Sequence, residues 1–197
     1  MVSCLRPGDR HINVSASPTD GELTRLVERV ASHRPVEQLV GLRRLLDGLL
    51  CCRGTRPGRA PRTLDLLAHS TADRLLQLGS SVLDPRQPDV RRLFEQMARD
   101  EVLPGLGIRE VRLLGCETAM THAGQDAIRA LTDILGVRVL GTVRPVYAAH
   151  FGATGLLDRY EVMLCDADCL PDLRTGSAVT EARPAKPRPR SAGRARR

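Results

Sequence analysis

The segment TLDLLAHST, residues 63–71, is an apolar run that stops at His69 and two hydroxyl residues. REVRLLGCETA, residues 109–119, ends in the same way, with Cys116 in the place of the histidine. A thiol and an imidazole are the minimum apparatus of nucleophilic acyl transfer: the thiolate attacks a carbonyl, and the histidine handles the proton of attack and of departure. A nearby histidine also lowers a cysteine's pKa. The tetrahedral oxygen such an attack creates needs backbone donors, and the amides of Ser70 and Cys116 are the candidates. Glu117, next to the thiol, and His150, at the end of the strand-like run VYAAHFG, are candidates for the pocket wall. His122 reads as a helix-start or surface residue, and Asp65 alternates within its strand so that it faces a partner. Ser70 and Thr71 are not read as nucleophiles.

A shared purpose for His69 and Cys116 requires that their strands lie side by side and point the same way. HINVSA, TLDLLAH, EVRLLG and VRVLGTV read as strands, separated by segments with helical spacing of leucine and valine. SPTDGELTRLVERVASH offers helix-start residues before Leu23, Leu26, Val27 and Val30. PVEQLVGLRRLLDGLL repeats that pattern, with Pro35 suited to a first turn. DVRRLFEQMARDEVL is a helix that Pro104 and Gly105 should stop, and CETAMTHAGQDAIRALTDILG leads into one closed by Gly136. Gly79-Ser80-Ser81 marks a hairpin within RLLQLGSSVLD, and the glycine-rich stretch 145–165 reads as a hairpin or a strand beside the site. Strands alternating with helices predict an α/β fold with a mostly parallel central sheet and helices on both faces. Neighbouring strands lie about 5 Å apart, and ligands of such sheets bind at the carboxyl ends, where His69 and Cys116 both stand.

At 197 residues the chain suits one domain, with residues 1–175 as the folded part. The aromatic residues are Phe94, Tyr147, Phe151 and Tyr160 alone, so the core must be aliphatic. The net charge of +7 sits at one end: residues 183–197 hold seven of the thirty basic residues and no acidic one, leaving twenty-three of each sign elsewhere. Residues 176–197, rich in Pro, Arg, Ala and Gly, are expected to be a disordered tail. That tail is read as a solubilising extension or as a weak, sequence-independent contact for nucleic acid. It lacks aromatics for base stacking. CCRGTRPGRAPR reads as an exposed loop.

Six cysteines in a chain of this length do not make a disulfide framework. Cys165 and Cys169, four apart in LCDADC, lack the second ligand pair of a zinc site. No metal or cofactor is expected. An apolar leader region and any run long enough to span a membrane are both missing from the sequence, so a reducing, cytoplasmic setting is expected.

LDLLAHST, RLLQLGSSVLD, VRLLGCETA and DAIRALTDILGVRVLGTV together resemble the caspase-like cysteine peptidases of the caspase, gingipain and separase type, in particular the bacterial CHAT branch. The likeness covers approximately residues 60–150, and its most specific element is GCETA after an apolar strand. The 47 residues between His69 and Cys116 are similar to the roughly 50 between the caspase histidine and cysteine. The resemblance implies a caspase-like three-layer sandwich, a His69–Cys116 dyad and hydrolysis of a peptide or protein substrate through a thioester. Ser70 departs from the pattern, because these families usually carry glycine after the histidine. That departure fits an alternative, a catalytically inert module that binds peptides or partners on the same fold. An acid such as Asp84 or Asp158 in the specificity pocket would select Arg, making the loop at 51–62 and the tail sites of self-cleavage.

Overall fold

The structure is a computed structural model that describes residues 10–17, 21–53, 63–170 and 173. The expected tail at 176–197 and most of the loop at 51–62 lie outside the described residues. In chain order the elements are β1 (His11–Ala16), α1 (Gly21–Val27), β2 (Arg34–Val36), α2 (Leu39–Arg53), β3 (Thr63–Leu67), β4 (His69–Ser70), β5 (Leu76–Leu78), β6 (Ser81–Val82), α3 (Pro88–Arg99), α4 (Val102–Leu106), β7 (Glu110–Leu114), α5 (His122–Leu135), β8 (Arg138–Thr142), β9 (Phe151–Gly152), β10 (Gly155–Leu156) and β11 (Leu164–Cys165). Two 3-10 turns, Ala148–His150 and Asp158–Met163, complete the C-terminal part.

Six strands form the central sheet in the order β2-β1-β3-β7-β8-β11; the first five are parallel and β11 is antiparallel to β8. The connection from β1 to β2 steps one way across the sheet, while those from β2 to β3, β3 to β7 and β7 to β8 step the other way. Right-handed crossovers therefore put α1 on one face and α2–α5 on the opposite one. The protein is thus a three-layer α/β sandwich with a mostly parallel sheet.

The two faces differ in chemistry because strand residues alternate. Ile12, Val14, Leu64, Leu66, Val111, Leu113 and Val139 point toward α2–α5 and are buried among Leu42, Leu46, Leu49, Phe94, Met97 and Ile128. Fully burying one such leucine is worth about 1.5–3 kcal/mol. α5 comes so near the sheet that a Cβ on Gly141 would lie 2.6 Å from Ile128 Cδ1.

The opposite face is polar. Register aligns His11, Thr63 and Glu110 in one row and Asn13, Asp65 and Arg112 in the next. Asp65 is completely buried, with Arg112 Nε and His11 Nδ1 each 3.9 Å from its carboxylate. Arg112 donates to Glu110 at 2.6 Å and to Glu161, from the second 3-10 turn, at 2.8 Å. His11 Nδ1 and Thr63 Oγ1 share a hydrogen bond of 2.7 Å. The β9–β10 hairpin lies over this cluster, where the Asn13 side-chain amide donates to the Thr154 carbonyl at 3.1 Å. Gly155 sits above the pair with φ +126°, and a Cβ there would be 2.7 Å from Asn13 Oδ1. Asp65 does face a partner, as its alternation suggested, and that partner is the arginine of the adjacent strand.

Three helix boundaries differ from the sequence reading. Arg34-Pro35-Val36 is a parallel edge strand beside Val14–Ala16, not a first helical turn. Proline is tolerated there because an outermost strand has amides with no ladder partner, and α2 starts only at Leu39. The helix from residue 88 breaks at Glu101, which has φ +50°, before Pro104 and Gly105 are reached. Pro104 and Gly105 belong instead to the short helix α4. α1 is also shorter than its periodicity implies, ending at Val27. Among the described residues no helix is long and apolar enough to cross a membrane.

Candidate functional site

β3 and β7 are adjacent and parallel, with Leu67 opposite Leu114. Their carboxyl ends deliver His69 and Cys116 to the same edge of the sheet. Ala68 still donates to the Leu114 carbonyl at 3.5 Å; the chain then leaves the central sheet, and β4 pairs His69 with Gln77 and Ser70 with Leu76 in the β4-β5-β6 sheet. The β5–β6 hairpin turns at Gly79, as the sequence indicated, with φ +59°.

The cysteine loop is fixed by a pair of threonines. Thr118 Oγ1 donates to the Leu113 carbonyl at 3.0 Å and accepts from the Thr142 amide at 2.8 Å. Thr142 Oγ1 in turn donates to the Gly115 carbonyl. Both threonines are buried, so these bonds form away from water and hold the loop after β7 to the end of β8. Glu117 adopts φ +59°, an uncommon conformation for a residue with a side chain. The amides of Glu117 and Thr118 are engaged, by the Arg144 carbonyl at 3.4 Å and Thr142 Oγ1 at 3.2 Å.

Two further contacts join the loop after His69 to the loop after Cys116. Arg74 pairs with Glu117 at 2.9 Å, and Thr121 Oγ1 donates to the Asp73 carbonyl at 2.7 Å. Thr121 is also the N-cap of α5, accepting from the Gly124 amide at 3.1 Å. One residue therefore starts the helix and ties it to the histidine side of the site. The half-exposed ion pair adds little stability, but it spans the two loops.

Gly115 is glycine for reasons of space. A Cβ at this position would lie 2.5 Å from Ser70 Oγ and 2.7 Å from Leu76 Cδ1. The residue after the histidine and the residue before the cysteine thus press against each other. Ser70 is not among the positive-φ residues, so its side chain brings no backbone strain. Gly115→Ala is expected to destabilise the fold by about 1–3 kcal/mol through overpacking and to slow Cys116 labelling by thiol reagents. Denaturant titration and labelling rates check both; unchanged values for both would mean that the contact gives way freely.

A cavity of about 280 Å³ opens beside the two side chains. His69, Cys116, Ala68 and Leu114 form its floor at the strand ends. α1 contributes Leu23 and Leu26 with Glu22 and Arg25, and residues 146–149 form the remaining wall. Glu22, Arg25 and Tyr147 are exposed, whereas Leu23 and Leu26 are buried. Cys116 Sγ lies 3.9 Å from the Val146 carbonyl, to which the thiol can donate weakly.

The other candidates flank this cavity. Glu117 is held by Arg74, outside the lining set. His150 packs between Tyr147 and Tyr160, with ring centroids 5.5 Å and 4.4 Å away, and its Nδ1 accepts from the Tyr147 amide at 3.3 Å. An accepting Nδ1 belongs to neutral imidazole, and burial pushes the His150 pKa down in keeping with this. His150 thus supports the Tyr147 wall from behind. His122 is the exposed first residue of α5. Asp84 is paired with Arg86, which holds its carboxyl below the ordinary range, and neither Asp84 nor Asp158 lines the cavity. Among the described residues no cluster of three or more His, Cys, Asp or Glu could hold a metal ion.

The contribution of α1 was not visible in the sequence. Its Leu23 and Leu26 look like ordinary core residues, and only the fold brings them to the cavity. Comparisons of the chain with models of protein families, with characterised proteins and with solved structures return no match.

Proposed function

We propose that the protein is a cysteine endopeptidase in which Cys116 is the nucleophile and His69 the proton carrier. The observation that carries this reading is their placement: two chemically complementary side chains, 47 residues apart in sequence, line one cavity from the ends of adjacent parallel strands. Cys116 Sγ attacks the carbonyl carbon of the scissile peptide as His69 takes its proton. His69 then passes that proton to the departing amine, and the acyl group remains on sulfur as a thioester until water hydrolyses it. With the amides of Glu117 and Thr118 engaged elsewhere, those of Ser70 and Cys116 are the donors proposed for the tetrahedral oxygen.

The cavity wall supports a substrate with an aliphatic side chain at the position it receives. Leu23, Leu26, Leu114, Val146 and Ala148 supply apolar surface, and the acid and base among the described wall residues, Glu22 and Arg25, are exposed residues of α1. Asp84 and Asp158, the acids that would select Arg, are not among the described lining residues.

A peptide library together with a thiol-reactive probe at neutral pH tests the proposal. Preferential labelling of Cys116 and cleavage next to aliphatic residues are expected. Labelling spread evenly over Cys51, Cys52 and Cys169, with the library left uncut, would overturn it. A second reading, an inert peptide-binding module, draws on the placement of Cys116 Sγ near the Val146 carbonyl. It predicts saturable retention of uncut peptides.

A further inference from the structure

β11 ends at Cys165, and the chain then turns back on itself. The Cys169 amide donates to the Asp166 carbonyl at 3.2 Å, and the Asp168 amide to Asp166 Oδ1 at 3.3 Å. Arg138 of β8 grips Asp166 at 2.7 Å, so the turn is anchored to the central sheet. As a result Cys169 Sγ lies 2.9 Å from Cys165 Sγ. That separation is about 0.9 Å longer than a disulfide bond of about 2.05 Å. Cys165 is buried opposite Gly141 of β8, whereas Cys169 is exposed. Neither lines the cavity that holds Cys116.

We infer that Cys165 and Cys169 form an oxidation site, closing to an intramolecular disulfide when the protein meets a hydroperoxide. Exposed Cys169 reacts first: its thiolate attacks one peroxide oxygen and breaks the O–O bond, leaving a sulfenic acid and releasing an alcohol, or water when the oxidant is hydrogen peroxide. The sulfur of Cys165 then attacks the sulfenic sulfur and expels water, giving the disulfide. Two thiols lose two electrons in total, the peroxide bond accepts them, and the thiol protons finish in the released alcohol and water. Burial and the neighbouring sulfur push the Cys165 thiol up to about 12. This leaves the first attack on the peroxide to Cys169, and the 2.9 Å between the sulfurs is what brings Cys165 into the second, intramolecular step.

The sequence makes the test clean. Trypsin cuts after Arg159 and Arg174, so residues 160–174 form one peptide carrying both cysteines and no other. The full chain is exposed to hydrogen peroxide, alkylated, digested and weighed, and the measurement is repeated after reduction. The expected peptide is two hydrogen masses lighter, carries no alkyl group and gains two after reduction. In Cys169→Ser, Cys165 should remain a thiol that the alkylating reagent captures. Three outcomes would overturn the inference: both cysteines alkylated after peroxide, Cys169 carried to the sulfinic acid with Cys165 still free, or either sulfur joined to another peptide. None of these readouts depends on whether Cys116 cleaves peptides.

Discussion

Replacing Cys116 by alanine is expected to lower peptide turnover by roughly a thousandfold or more, as removal of a nucleophile does in enzymes whose groups act as a unit. His69→Ala should cost a similar factor, and the double variant scarcely more than either single one, because neither group accelerates acyl transfer without the other. Stability should change little in Cys116→Ala. The side chain is half-exposed, its one hydrogen bond is a long contact with the Val146 carbonyl, and the loop is held by Thr118 and Thr142 instead. Initial rates on a cleaved library peptide, with thermal melting alongside, measure both quantities. A variant that melted like the parent and kept its rate would transfer the chemistry to another residue. A matched loss of rate and of folded protein would mean that the thiol served only the structure.

The second large effect concerns stability and is independent of catalysis. Arg112→Met should destabilise the protein by about 3–5 kcal/mol at neutral pH, because it leaves the buried carboxylate of Asp65 without the cation beside it. Burial pushes the Asp65 pKa up, while Arg112 and His11 oppose the rise. Removing the arginine lets burial act with less opposition. The sign follows from linkage: a carboxyl whose folded pKa lies above its unfolded value favours the folded state when protonated. Its contribution is therefore present below the unfolded value, 3.8 for an unperturbed Asp, and is lost as pH rises through the folded pKa. Arg112→Met should accordingly lose more stability on going from acid to neutral pH than the parent does. Asp65→Asn in the same chain should restore much of what was lost, since an amide carries no charge to bury. Urea titrations across this pH range decide the matter. Equal pH profiles for parent and variant would place the Asp65–Arg112 interaction outside the stability of the fold.

Much of the architecture could be read from local pattern. Apolar runs bounded by turn residues gave β1, β3, β7 and β8, and the spacing of Ile128, Leu131 and Leu135 before Gly136 gave α5. The common placement of His69 and Cys116 was legible for the same reason, since parallel strands place their last residues on a common edge. What escaped was set by contacts distant in sequence. Pro35 fits a helix start as well as an edge strand, and only pairing with β1 decides between them. Nothing near Glu101 announces a left-handed residue, and the break there lets Leu103 and Leu106 reach the core. Arg112 looks like a solvated residue in an alternating strand, although register sets it beside Asp65 under the second 3-10 turn. The need for glycine at position 115 depends on Ser70 and Leu76, and the Arg74–Glu117 pair joins two loops from different strands.

The flank of the sheet at β2 has a consequence for coexistence at high concentration. Among the described residues β2 is the outermost strand, and a strand at a sheet's margin invites a second molecule to add its own ribbon of backbone, the first step of many aggregates. Here that flank is three residues long, and its middle residue, Pro35, has no amide hydrogen to offer an incoming chain. The same proline that obscures β2 in the sequence therefore guards this side of the molecule against self-templating.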